Sequence, residues 1–262
     1  MIKLVASDMD GTLLTDDKKL PPDMFELIEK MNSCGIIFVP ASGRQVCSLE
    51  RFFAPFIDTM PFIAENGSLV TYKGKELFSS SLDPRCVHEI LEDIFSLGKH
   101  AVLLCGKRNS YTDDFDSYKL MKSSLFRYNV EYRENLFDVD DEILKISVVD
   151  NNNVKERYFN RLLPKYKCDL GITLSGFNCM DFMNKGVSKG SALKLLRELF
   201  SLSTENVASF GDNFNDVEMF SESSMSFAME KSSTAVKAKA KFVAGDNNKF
   251  AVAEEIKRIC QI

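Results

Sequence analysis

The amino-acid sequence predicts an α/β fold: a mainly parallel sheet built from the two ends of the chain, with an α+β module inserted between them. Three observations predict it. Short β-rich runs alternate with amphipathic helical patterns near both ends. The pattern changes character in the middle. Three polar clusters each follow a strand-like run, the place where an open parallel sheet binds its ligand.

The elements follow in order. Residues 2–7 (IKLVAS) form an apolar run suited to a buried strand. Residues 21–35 place Phe25, Leu27, Ile28 and Met31 at helical spacing, with Pro21 and Pro22 at the start and Gly35 as the stop. Residues 36–41 read as a second strand, laid beside the first by a right-handed crossover. Residues 62–64 begin a third. The inserted module, residues 83–183, has a helix over 85–97, a hairpin-like stretch over 101–112, a strand over 142–149, another helix, and a strand pair over 172–175 and 177–183. The run Asn151-Asn152-Asn153 reads as a turn before that helix. The first grammar then returns: a helix over 188–200, a strand over 207–210, a polar loop, and short strands over 226–229 and 242–244. Residues 1–82 and 184–262 are thus expected to form one domain.

Composition narrows the function. With 45% hydrophobic residues in a chain of 262, a sizeable core can be buried. The balance of 33 Lys+Arg against 38 Asp+Glu lacks the basic excess of a protein that neutralises nucleic acid. No apolar run is long enough to span a bilayer, and the start does not read as a secretory signal, so a cytoplasmic protein without a membrane partner is expected. Seven scattered cysteines without a CxxC pair are expected to be buried thiols. The two histidines, His88 and His100, are not near a Ser or Cys in a context that suggests a nucleophile and its base, which disfavours a serine-hydrolase triad.

The polar clusters carry the chemistry. D-x-D sets Asp8 and Asp10 close together just past a strand end, and Gly11 lets the chain turn there. Two nearby carboxylates repel unless a cation neutralises them or one keeps its proton. A lone DxDG could be an exposed turn, but a second acidic pair, Asp212 and Asp216, follows another strand end. With Asn213 and Asn215 beside them, the acids form an oxygen-rich site suited to Mg²⁺.

At this point the chain resembles the haloacid dehalogenase superfamily of phosphohydrolases, in its Cof-type branch, subclass IIB. Four segments carry the likeness in order: Asp8-Met9-Asp10-Gly11-Thr12-Leu13-Leu14, Ala41-Ser42-Gly43-Arg44, Gly186-Val187-Ser188-Lys189-Gly190 and Gly211-Asp212-Asn213-Phe214-Asn215-Asp216. The resemblance implies a Rossmann-like parallel-sheet core with an inserted α+β cap that covers the site and selects substrates. It implies that Asp8 attacks phosphorus to give an aspartyl phosphate, while Asp10 serves as acid and then base. Asp8, Asp10 through its backbone carbonyl, Asp212 and Asn213 would hold Mg²⁺, with Asp216 orienting that shell. Ser42, with the backbone of Met9 and Gly43, would bind the phosphoryl group, Asn215 would lie nearby, and Lys189 would supply positive charge. Read singly, Ser42 could end a strand, Lys189 could be a solvated helix residue, Asp216 could be a first-turn acid, and Arg44 is expected to be structural.

Two departures stand out. Where the branch has Ala-Met-x-Asn-Ala, this chain has Ala228-Met229-Glu230-Lys231-Ser232, and an expected Asp-Gly-Val is Lys249-Phe250-Ala251. The implied substrate is a small phosphorylated metabolite, such as a sugar phosphate or a phosphorylated cofactor. Two alternatives stay open on sequence alone: a sugar phosphomutase using the same intermediate, and a silent metabolite-binding module.

Overall fold

The structure, a computed structural model, describes residues 1–98, 101–123, 128–150, 154–175 and 179–262. His100, the Asn151 to Asn153 run and the start of the 177–183 strand lie outside the described residues.

The chain opens with β1 (Leu4–Ser7), crosses through helix α1 (Met24–Ser33) and returns as β2 (Ile37–Pro40), parallel to β1. Side chains alternate across β1: Val5 packs with Leu27, Ile28 and Ile256 on one face, while Leu4 and Ala6 pack with Leu193 and Leu196 on the other. Both faces of the strand are thereby covered, which explains its unbroken apolar run. Phe25 is 39% exposed, and Met24 fills the core face of α1 in its place. The proline pair precedes the helix, which starts two residues later than expected.

Helix α2 (Val46–Phe52) leads to β3 (Pro61–Ala64), β4 (Leu69–Tyr72) and β5 (Lys75–Ser79), an antiparallel three-stranded sheet. The expected third strand thus heads its own ladder. It lies beside β2, and one parallel bridge, Ala41 to Ile63, joins the ladder to the residue after β2.

The inserted region contributes α3 (Pro84–Ser96), β6 (Ala101–Gly106), β7 (Ser110–Thr112), α4 (Phe115–Lys122), β8 (Val130–Tyr132), β9 (Ile143–Val149), α5 (Asn160–Tyr166), β10 (Leu170–Ser175) and β11 (Cys179–Asn184). Its strands form a second sheet in the order β10-β11-β9-β6-β7-β8, antiparallel except for β7 with β8. Ile90, Ile146, Tyr158 and Phe182 anchor a separate apolar core beneath that sheet. Helix α4 and strand β8 were not expected. Helix α4 is short and has no fully buried residue; Tyr118 and Met121 pack half-buried on the small cluster of Leu103, Cys105 and Val130, a weak apolar signal in the sequence.

The chain then returns through α6 (Lys189–Leu199), β12 (Val207–Gly211), α7 (Val217–Ser221), β13 (Met225–Ala228), α8 (Thr234–Lys237), β14 (Phe242–Val243) and α9 (Ala251–Cys260). The core sheet runs β14-β13-β12-β1-β2 with every neighbour parallel. It is a Rossmann-like α/β sheet with an additional capping sheet. Among the described residues no helix is long and apolar enough to cross a membrane. All seven cysteines are free, but only Cys105 is fully buried and Cys34 and Cys168 are exposed. The expectation of buried thiols fails at those two because they lie just past the ends of surface helices.

Candidate active site

The site grows out of strand register. Ser7 pairs with Pro40 of β2 and with Phe210 of β12, so three parallel strands end flush. The residues that follow them, Asp8, Ser42 and Asp212, therefore emerge on one rim. The chain reverses direction between β1 and β12, and an open α/β sheet has its crevice at such a switch point.

Three carboxylates meet there. Ligand oxygens of Asp8, Asp212 and Asp216 lie within 4.8 Å of one another. Gly11, at φ +83°, is needed for this approach: a Cβ there would sit 2.6 Å from Asp212 Oδ2. Lys189 enters from the first turn of α6, placed by its N-cap Ser188, and donates to Asp8 Oδ1 at 2.6 Å and to Asp216 Oδ1 at 2.7 Å. The other Asp216 oxygen accepts from the backbone of Asp212 and Asn213 at 2.9 and 3.0 Å. Asp216 is thus spent on holding the loop and the lysine. Among the described residues, Asp8 Oδ2 is buried without a hydrogen-bond partner.

Electrostatics follow from this crowding. Burial, which Lys189 opposes and the neighbouring Asp216 and Asp212 reinforce, pushes the Asp8 carboxyl well above the usual carboxylate range. Burial and Asp216 push Asp212 up to about 7. A divalent cation would relieve both.

Asp10 lies apart from that cluster. Its oxygens accept from Arg44 Nε at 2.5 Å and Arg44 Nη2 at 2.7 Å, and Lys18 approaches Oδ1 at 2.7 Å. Burial works against its charge, but Arg44 and Lys18 outweigh it and bring the carboxyl down to about 2. Arg44, expected to be structural, is buried and its guanidinium grips the proposed acid/base residue. Asn213 Oδ1 accepts from Phe214 N at 2.8 Å, capping the next short turn.

Asp10, Ser42, Gly43, Asp212, Asn213 and Asn215 line one cavity of about 460 Å³ between the two sheets. Ser42 is buried, and its Oγ accepts from Arg44 N at 3.2 Å. Met9 is wholly buried, and its side chain packs in the core. Lys189 and Asn215 also line a smaller adjoining cavity with Asn66.

Residues missed from sequence complete the walls. Glu65, Asn66 and Gly67 all have positive φ and follow β3 as a polar cluster follows each of the other three strands. That strand-end signal could have been read. From the inserted sheet, Lys145 Nζ donates to the Gly43 carbonyl at 2.7 Å and pairs with Glu65 Oε2 at 2.8 Å. Tyr128, Ser147 and Asp181 join it on the cavity wall.

The family model described as haloacid dehalogenase-like hydrolase matches residues 5–256. The chain belongs to the haloacid dehalogenase-like hydrolases. Among its relatives in that family is the Escherichia coli 5-amino-6-(5-phospho-D-ribitylamino)uracil phosphatase, 31% identical, with 98% of this chain and 96% of the relative covered. An Escherichia coli pyridoxal phosphate phosphatase is 27% identical, with 97% of each chain covered. A crystal structure from Streptococcus mutans shares the fold at a TM-score of 0.92 and 24% identity, over 100% of both chains.

Both sequence departures from this haloacid dehalogenase-like pattern have local physical consequences. Lys231 reaches Asp246 at 3.0 Å and Asp16 at 3.5 Å, tying the loop after the first motif to the loop that follows β14. Phe250 stands where the pattern has glycine, at φ +57°. A non-glycine residue there carries a backbone cost of about 1–2 kcal/mol.

Proposed function

We propose that this haloacid dehalogenase-like enzyme hydrolyses phosphomonoesters of small metabolites, with Asp8 as the covalent nucleophile. The observation that carries the reading is the state of Asp8. One oxygen is fixed by Lys189, and the other is buried, unpaired and held at the strand-end crevice. That is an oriented carboxylate with a free attacking atom.

In the first half-reaction Asp8 Oδ2 would form a bond to phosphorus as the ester oxygen leaves and takes a proton from Asp10. In the second, water would attack the aspartyl phosphate, give its proton to Asp10 and release inorganic phosphate. Arg44 and Lys18 favour the ionised form of Asp10, so before it can serve as the acid it must give up these cations and take a proton from solvent as the substrate enters. Ser42, the Gly43 backbone, Asn215 and Lys189 would bind the phosphoryl oxygens.

The donor set fits Mg²⁺: all-oxygen ligands and three clustered acids whose repulsion a cation would offset. Asp8, Asp212 and the Asp10 backbone carbonyl would hold the ion, which would supply positive charge beside the phosphoryl group. Residues 83–183 are read as the cap, a reading supported by their separate sheet and by the part they play in the cavity wall. The phosphatase names of the relatives support small phosphorylated metabolites as substrates, and a cytoplasmic setting goes with that class.

The test is a phosphate-release screen over a metabolite panel, with and without Mg²⁺. Mg²⁺-dependent release from a subset of the panel is expected. Ligand binding without release from any member would overturn the hydrolase reading.

A further inference from the structure

A chain of hydrogen bonds crosses from the inserted sheet to the phosphoryl side of the cavity. Asp181, on β11, is 1% exposed. Its Oδ2 accepts from Asn66 Nδ2 at 2.7 Å, and its Oδ1 accepts from Ser147 Oγ at 2.6 Å. The Asn66 amide oxygen in turn accepts from Asn215 Nδ2 at 3.0 Å. Asn66 is itself 1% exposed, with φ +54°, and a Cβ on Gly43 would lie 3.0 Å from its amide oxygen.

The chemistry of each link fixes the next. An ionised carboxylate only accepts, so Asp181 forces the NH₂ end of Asn66 to face it. The oxygen end of Asn66 must then face Asn215. That leaves Asn215 oriented as a donor, with a second N–H available to an anion. Without Asp181 the Asn66 amide loses the carboxylate that sets its orientation. A reversed Asn66 would present NH₂ to NH₂ and turn Asn215 away.

We propose that Asp181 is a positioning residue of the inserted module: acting through Asn66, it holds Asn215 as a hydrogen-bond donor to the phosphoryl group. The inference rests on the reading of Asn215 as a phosphoryl-binding residue. It makes the grip on the phosphoryl group depend on the inserted sheet being seated against the core, because the relay exists only while β11 meets Asn66. Asp181 does not choose among substrates, since the atom it controls addresses the part they share.

The test uses the full-length Mg²⁺-loaded enzyme and inorganic phosphate as the probe, read as a competitive inhibition constant alongside kcat and KM for three unlike phosphomonoesters. Asp181→Leu should weaken phosphate binding about tenfold, the scale of one hydrogen bond to a charged group. It should lower kcat/KM for all three substrates by a common factor. Asp181→Asn should recover most of that loss, because its amide oxygen can face Asn66 while Ser147 Oγ accepts from its Nδ2. Asn66→Gly tolerates the left-handed backbone and cuts the same relay from the core side, so it serves should Asp181→Leu fail to fold.

The decisive comparison is made in an Asn215→Ala background. There Asp181→Leu, or Asn66→Gly, should add little further loss of phosphate affinity. Additive losses would overturn the relay, as would a reordering of the three substrates. Unchanged phosphate affinity in Asn215→Ala alone would instead overturn the assignment of Asn215 on which the relay depends.

Discussion

Lys189 Nζ sits between the Asp8 and Asp216 carboxylates, 2.6 and 2.7 Å from their oxygens, with 1% of its side chain exposed. Removing it leaves two buried acids with no fixed cation. Lys189→Ala should therefore cost about 3–5 kcal/mol of stability in metal-free protein, the scale for breaking a buried pair. Its turnover should fall by a similar factor for every substrate. Denaturant melts and kcat/KM on two unlike substrates check this, and loss confined to one substrate would contradict it.

Asp8→Asn should retain the fold, since it keeps the size of the side chain and removes one of three crowded charges. Turnover should fall by roughly three orders of magnitude, or about 4 kcal/mol of barrier. A purified variant holding more than about a tenth of wild-type turnover would show that Asp8 is not the nucleophile.

Asp10→Asn separates the half-reactions. An aryl phosphate needs little acid assistance, so its phenol should still leave, but the water step lacks its base. Rapid-quench kinetics should show a burst near one equivalent of phenol and then a stalled aspartyl phosphate. Equal slowing of both steps, with no trapped intermediate, would leave Asp10 a positioning or metal-site role only.

EDTA should abolish turnover, and Mg²⁺ should restore it, because the acid cluster must be neutralised before an anionic ester can approach. Activity that persists in protein shown by elemental analysis to be metal-free would remove the metal from the reaction.

Gly190→Ala tests packing against propensity. A Cβ at Gly190 would lie 2.5 Å from Glu218 Cβ and 2.6 to 2.7 Å from the Glu218 backbone, so α6 and α7 would have to part. Helix propensity alone favours alanine by about 0.8–1.0 kcal/mol. Overpacking should outweigh it and give net destabilisation of about 1–3 kcal/mol. A denaturation midpoint above wild type would refute the close contact.

The core was legible in the sequence because its signals are local and reinforce one another. An apolar strand that ends in D-x-D, S-G-R or G-D-N-F-N-D announces both its own terminus and a polar rim. Lys145, Ser147 and Asp181 were not legible for a geometric reason. Along β9, Lys145, Ser147 and Val149 face the cavity while Ile146 and Val148 face the inserted module's own core. A period-2 pattern shows that a strand has two faces. It does not show which other sheet one of those faces will meet. The pairing of Arg44 with Asp10 was not legible either, because the two are brought close only when β1 and β2 end flush.

The placement of β1 between β2 and β12 also bears on how the molecule is made. Leu4 pairs with Ile37 on one side and with Val207 on the other, so one edge of the first strand waits for a partner about 200 residues later. During synthesis the inserted sheet, whose strands are contiguous in the chain, can close before that partner emerges. The early core meanwhile presents an unpaired apolar strand edge, a template for intermolecular pairing. Nascent chains arrested before residue 207 should thus be bound by chaperones or aggregate, and release should coincide with the appearance of β12.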